Sequence, residues 1–214
     1  MNADNNASAD KTRNAYDRAY RGTNYYWGVR PSDSCFEALH LLPPDRPLRV
    51  LDIGCGEGRN AVFFARNGYH VSAFDFSPEG VRKTRELAQA AGVEVDAFEA
   101  DINTFRLCEP FDILFSTGTL HCLRPELRAE VFDNYRAHTR PSGLHIFNVF
   151  VDKPFIAPAP DADSNGTLWK TGELFAFYAD WKLESCGEDI FDCMSSGLAH
   201  KHCCDRVTAR KMVE

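Results

Sequence analysis

The chain alternates between short apolar runs and stretches whose apolar residues recur at helical spacing. LRVLDI (48–53) is almost continuously apolar, as suits a strand buried on both faces of a parallel sheet. RNAVFFARN (59–67) has helical spacing, and Gly68 stands where such a helix would stop. YHVSAF (69–74) is the next strand. Ser77 and Pro78 then supply an N-cap followed by proline at the first helical position, and that helix is expected to run to about Ala91, before Gly92. VEVDAF (93–98), FDILFS (111–116) and LHIFNVF (144–150) read as further strands, with a helix from about Pro125 to His138 between the last two.

This alternation predicts an α/β fold with a parallel sheet and helices on both faces. The pattern changes after residue 150. Residues 151–170 are rich in Pro, Asp, Asn and Gly and read as a long, lid-like loop. A short helix is expected from about Gly172 to Tyr178. SCGEDIFDC and HKHCCDRVTARK flank the turn MSSGLA and read as an antiparallel hairpin that closes the sheet. Residues 1–15 are expected to be a disordered lead-in. Residues 16–47 would be an N-terminal helical cap, and 16–214 a single domain.

Composition narrows the partners. A chain of 214 residues with 44% hydrophobic and 26% charged residues suits a soluble domain with a full core. The net charge of −7, with no long basic run, argues against nucleic acid or an anionic membrane surface as a partner. No stretch approaches the roughly 18 apolar residues of a membrane span, and the polar start MNADNNASAD lacks a signal peptide's apolar core. The eight cysteines have no repeated spacing, and a chain of this size needs no disulfide staples. The expectation is a cytoplasmic protein with free thiols, no membrane and no nucleic-acid partner.

The strongest chemical signal is VLDIGCGEGRN (50–60). A buried strand runs into Gly54, Gly56 and Gly58 and then a helix, so the backbone can turn sharply and a ligand can approach it. Asp75 ends the next strand, about 20 residues past the loop, where an acid can hold ribose hydroxyls. Asp101 follows the third strand. The pattern is GxGxG with Arg59 in the sixth position, where a nicotinamide site favours a small residue. That departure weighs against a dehydrogenase.

LDIGCGEG resembles the first motif of class I S-adenosylmethionine-dependent methyltransferases. The resemblance implies a Rossmann-like, seven-stranded, mostly parallel sheet with an antiparallel last strand, and S-adenosylmethionine as cofactor. It also implies that Gly54, Gly56 and Gly58 contact the methionine part and that Asp75 holds the ribose. Phe76 would lie along the adenine, Asp101 and Ile102 would meet its edge, and Ser116 and Thr117 would lie beneath the methionine end. Asp52, Cys55, Asn60 and Trp27 are counted with them as cofactor contacts. NYYWGVRPS (24–32), GCGEGRNAVFFARNGYHVSAFDFS (54–77), KPF (153–155), KTGELFAFYADW (170–181) and TARK (208–211) narrow the match. Together they resemble the tellurite-resistance, TehB-like, methyltransferase family over nearly the whole chain. That family implies methyl transfer to tellurite, selenite or related soft nucleophiles.

Such a displacement needs orientation and a dry site more than a strong base. Lid candidates are the segment holding Tyr25, Tyr26 and Trp27, and the loop 151–170. Arg30 is either an oxyanion contact or an ordinary surface arginine. His121, after the fourth strand, is either a substrate or cofactor contact or a hydrogen-bonded loop residue.

GLAHKHCC (197–204) first suggests a metal cluster. Strand alternation separates it: His200, His202 and Cys204 share one face, and Lys201, Cys203 and Asp205 the other. With no CxxC in the chain, no metal site is expected. In the family's topology the start of this strand would lie on the cofactor side. His200 and His202, with His121, are therefore the candidate catalytic contacts to a small-molecule acceptor. Cys193, Cys203 and Cys204 are either metalloid ligands or sheet packing, and packing is the reading for Cys55, Cys108, Cys122 and Cys186. Two other functions stay open. One is a small-molecule O- or N-methyltransferase on the same fold; the other is a non-catalytic S-adenosylmethionine-binding protein.

Overall fold

The structure, a computed structural model, describes residues 15–160, 168–194 and 197–213. Most of the predicted lead-in, part of the predicted lid loop and two residues of the hairpin turn lie outside the described residues. The chain groups into two compact units, residues 1–105 and 106–214.

The first unit opens with a helical stretch over 15–20. It continues through α1 (Asp33–Leu41), β1 (Arg49–Ile53), α2 (Arg59–Arg66), β2 (His70–Asp75), α3 (Pro78–Ala91) and β3 (Asp96–Glu99). β2 lies between β1 and β3 and is parallel to both. Val50, Leu51 and Ile53 of β1 are buried, as their apolar run predicts. The predicted caps of α3 form: the Ser77 hydroxyl accepts from the Gly80 N–H, Pro78 opens the helix, and Gly92 closes it at φ 67°. At that end the Val93 N–H donates to the Ala88 carbonyl. The cap therefore uses a donor the predicted strand needed, and β3 begins at Asp96 rather than Val93.

The second unit contains β4 (Phe111–Ser116), α4 (Arg128–Ala137), β5 (Thr139–Val151), β6 (Lys182–Cys193) and β7 (His200–Arg210). β5 is parallel to β4, whereas β7 is antiparallel to both β5 and β6. The seven strands make a mixed sheet in the order β3-β2-β1-β4-β5-β7-β6. Three elements differ from expectation. The helix predicted from Pro125 begins as a 3-10 turn, Pro125–Leu127, because the Leu127 N–H reaches the Arg124 carbonyl three residues back. The predicted helix 172–178 is a 3-10 turn over Phe175–Tyr178. β5 starts earlier, at Thr139, but its register shifts before Leu144. Gly143 sits at that irregularity, where a Cβ would come 2.8 Å from the Arg140 and Asp112 carbonyl oxygens.

The predicted lid loop is tied at its base. Val151 bridges Trp169, the Trp169 N–H donates to the Phe150 carbonyl at 2.9 Å, and the Asp152 N–H donates to the Trp169 carbonyl at 3.0 Å. Trp169 is fully buried, with its indole N–H on the Leu120 carbonyl and the Arg128 guanidinium over its ring.

A buried polar chain fixes β5 to the segment before β6. The Thr139 hydroxyl donates to the Tyr135 carbonyl, so it can only accept from His145 Nε2, 2.7 Å away. His145 Nδ1 is then bare and accepts from the Tyr178 hydroxyl at 3.0 Å. Burial holds the imidazole well below its ordinary pKa, so it stays neutral. Thr139→Val keeps the shape and removes the hydroxyl that accepts from the His145 N–H. We expect a loss of about 1–3 kcal/mol in urea unfolding with a native circular dichroism spectrum; an unchanged midpoint contradicts the donor assignment.

Candidate functional site

β1 runs out into Gly54–Gly58, which turns the chain into α2. Gly54, Gly56 and Gly58 all have left-handed φ, at 71°, 54° and 88°. At Gly58 a second constraint applies, because a Cβ would lie 2.7–2.8 Å from Thr84 of α3. The Gly54 and Cys55 N–H groups both donate to the Phe74 carbonyl, locking the loop to the end of β2. The Cys55 thiol lies 3.7 Å from the Thr84 hydroxyl, and burial pushes its pKa well up, so it packs as a neutral thiol.

Two acids are buried around this loop. Asp75 accepts from the Gly56 N–H and the Ser77 N–H, each at 2.9 Å. A carboxylate has about four lone-pair sites, so it keeps accepting capacity beyond its backbone bonds. Burial raises its pKa to about 6, against those two bonds. Asp52 is 1% exposed, and its Oδ2 has no hydrogen-bond partner among the described residues. Burial and then the charge of Asp75 push Asp52 up to about 7.

A third acid closes the loop from outside. Glu57 meets Lys83 Nζ at 2.7 Å, and both side chains are almost fully buried. Lys83 also donates to the Asn24 carbonyl at 2.7 Å, and the Trp27 N–H donates to Glu57 at 3.2 Å. The aromatic N-terminal segment is thereby held on the loop. Trp27 is 38% exposed, so it is not a core residue. Its ring lies 3.7 Å from the position of a Cβ on Gly56, and its indole N–H donates to the Tyr20 hydroxyl. Tyr20, buried against Gly56, is a site residue that the sequence reading missed, since a tyrosine in the predicted helical cap carries no distinguishing spacing.

Other predicted contacts have local roles. Asn60 Oδ1 accepts from the Ser32 N–H and from the Cys35 thiol, joining α1 to α2. Phe76 meets Tyr16 edge-on. The Asp101 carboxylate accepts from the N–H and side-chain amide of Asn103, closing its own turn, while Ile102 is buried beside it. Arg30 pairs with Asp33 at the surface.

In the second unit, Ser116 is the buried last residue of β4 and Thr117 follows it. His121 is buried in the 3-10 turn Leu120–Cys122 and stacks on Phe150 at 4.6 Å. His202 also stacks on Phe150, at 4.6 Å. His200 Nε2 lies 3.0 Å from His202 Nε2. Cys193 stands opposite His200 in the β6–β7 ladder, and donor atoms of Cys193, His200 and His202 lie within 4.8 Å of one another. The structure therefore gathers the three predicted histidines and Cys193 near Phe150, a residue that nothing in its apolar strand had marked. A recess of about 530 Å³ beside them is lined by Phe155, Pro158, Leu198 and His200 among others.

The neighbouring cysteines behave differently. Burial raises Cys203 to about 11, and raises Cys204 too despite a bond from Arg206 Nε. Both are thiols at neutral pH, which favours packing. Asp205 accepts from the Gly172 N–H at 2.7 Å.

Residues 16–199 match the family described as "Tellurite resistance protein TehB". The chain belongs to the TehB family. It is 35% identical over 154 residues to "Hemagglutinin 1" of Eikenella corrodens, covering 72% of this chain and 48% of that protein. It is 26% identical over 144 residues to the "Probable S-adenosyl-L-methionine-dependent methyltransferase TehB" of Haemophilus influenzae, covering 67% and 49%. Its fold is similar to the crystal structure of TehB from Haemophilus influenzae, with a TM-score of 0.75 at 23% identity over 84% of this chain and 62% of that one. This TehB-family chain spans about half the length of the curated relatives it matches. No helix among its described residues is long and apolar enough to cross a membrane.

The Asp52 pKa has a sign that can be measured. A carboxyl near 4 in the unfolded chain and near 7 in the fold stabilises below pH 4, and that stability is lost as pH rises to about 7. Asp52→Asn should therefore match the parent at pH 4 and exceed it at pH 8, by on the order of 1 kcal/mol or more in chemical unfolding. Equal stability at both pH values contradicts the buried, unpaired oxygen.

Proposed function

We propose that this TehB-family chain transfers the methyl group of S-adenosylmethionine to a small soft nucleophile, such as tellurite, selenite or a thiol. One observation carries the cofactor reading: two buried carboxylates, Asp52 and Asp75, border the glycine loop, and one Asp52 oxygen has no hydrogen-bond partner among the described residues. An orphaned buried acceptor costs stability unless a donor meets it. The residues thus fit a cofactor that brings both an ammonium and ribose hydroxyls. Asp52 would face the ammonium, and the remaining accepting capacity of Asp75 would serve the ribose. The backbone of the Gly54–Gly58 loop, bare of side chains at its three glycines, would border the methionine part, and Trp27 would cover the loop.

The bound cofactor supplies an electrophilic methyl group on a positively charged sulfur. The chain's own contribution is to orient the acceptor and exclude water. His200 and His202, backed by Phe150 and His121, are the proposed acceptor contacts. Their Nε2 atoms, 3.0 Å apart, are the groups that would meet oxyanions such as tellurite and selenite. An anionic acceptor loses charge as it attacks the sulfonium, so no strong base is required. The recess beside His200 suits a small acceptor.

A turnover assay with tellurite, selenite, simple thiols and small oxygen and nitrogen acceptors, with products identified by mass spectrometry, tests this reading. Methylated tellurium, selenium or sulfur is expected. Asp75→Ala should raise the KM for S-adenosylmethionine about ten-fold, the effect of losing roughly 1.4 kcal/mol of binding. His200→Ala should lower kcat and leave that KM nearly unchanged. Methylation only at oxygen or nitrogen contradicts the acceptor class, and cofactor binding without any product contradicts catalysis.

A further inference from the structure

The head of the β6–β7 hairpin holds more donor chemistry than oxyanion contacts require. We propose that Cys193, His200 and His202 bind a borderline-soft divalent cation of the zinc class, leaving a fourth position to water or another soft ligand. The site stands on its own donors and does not depend on the methyl-transfer reading.

Three observations carry it. The first is donor placement. Cys193 and His200 are direct partners in the antiparallel ladder, and His202 is two residues further on the same face. The ligand atoms therefore come from two paired strands, which resist spreading. All three groups are partly accessible, so an ion can enter.

The second is distance. Zinc bonds of about 2.0 Å to nitrogen and 2.3 Å to sulfur set tetrahedral donors roughly 3.3–3.6 Å apart. The two Nε2 atoms are 3.0 Å apart, and all three donors lie within 4.8 Å. The remainder is of the size that side-chain rotation can cover.

The third is tautomer. His200 Nδ1 lies 2.8 Å from the Leu198 carbonyl oxygen. A carbonyl only accepts, so Nδ1 carries the proton and the neutral ring keeps a bare lone pair on Nε2. A backbone carbonyl holding the far nitrogen is the usual outer support of a metal-binding histidine. That lone pair points at His202 Nε2, where either an N–H from His202 or a shared cation can satisfy it.

Binding has a definite proton balance. The Cys193 S–H bond breaks, a sulfur–metal bond forms, and the proton passes to the buffer. His202 moves its own proton from Nε2 to Nδ1, with no net release. One proton per ion leaves the protein. The arrangement of one thiolate and two imidazoles with an open position is that of zinc sites that also hold an exchangeable ligand. The apolar recess at His200 gives such a ligand room.

The test uses the full chain, stripped with a chelator, without cofactor or acceptor. Zinc chloride alone and cobalt chloride alone are titrated, with calorimetry in two buffers of different ionisation heat. We expect one ion per chain, one proton released per ion, and a cobalt spectrum with a tetrahedral visible band and a thiolate charge-transfer band. Cys193→Ser and His202→Ala should each weaken binding about ten-fold or more, whereas Cys186→Ser, elsewhere on β6, should not. A six-coordinate cobalt spectrum without thiolate absorption, or equal affinity in Cys193→Ser, overturns the site. The parent's cobalt spectrum decides the matter even if a variant fails to fold. Titration of S-adenosylmethionine into the same samples keeps the two readings apart, because loss of the metal site leaves cofactor binding intact.

Discussion

The buried ion pair of Glu57 with Lys83 is the constraint on which the glycine loop of the first unit depends. Two opposite charges 2.7 Å apart are almost fully removed from water, and either alone would be strongly unfavourable, by about 3–5 kcal/mol. Their mutual need fixes the position of α3 against the loop between β1 and α2. It also draws in the chain before α1, since Lys83 takes the Asn24 carbonyl and Glu57 takes the Trp27 N–H. Those three segments are thereby held around the left-handed glycines, with the Trp27 ring beside Gly56. The second x of GxGxG is thus as important here as the glycines.

The loop also shows how one region can combine strain with capacity. Asp52 and Asp75 are both pushed up by burial, to about 7 and about 6, so the loop carries less negative charge near neutrality than its sequence suggests. A cationic ligand reverses that balance, because it favours the ionised form of each acid. Stability withheld from the isolated chain is then available for binding. The hairpin of the second unit works by another principle. There the ladder register, rather than an ion pair, sets which side chains meet.

Much of this was legible in the sequence, for specific reasons. The caps of α3 follow from Ser77, Pro78 and Gly92, each of which has one local role that tertiary context does not change. The face shared by His200 and His202 follows from strand alternation, which is a property of the backbone. What escaped depended on partners distant in sequence. Tyr20 reaches Gly56 only once the N-terminal segment folds over the loop. Asn60, in the motif and read as a cofactor contact, has its carbonyl oxygen occupied by Ser32 and Cys35. Phe150 gains meaning only through the two imidazoles stacked on it. For the proposed metal site, two donors lie within HKHCC and a third, Cys193, would come from across the hairpin. Its pairing with His200 was implicit in the turn length, but the geometry required the register.

The central claim is that the acid-bordered glycine loop holds S-adenosylmethionine. Calorimetric titration of the cofactor into the parent chain and into Asp52→Asn, at neutral pH, tests it most directly. The account predicts a single site in the parent and a weaker one in the variant, although the variant is the more stable protein. No binding by the parent, or equal binding by both, would contradict it.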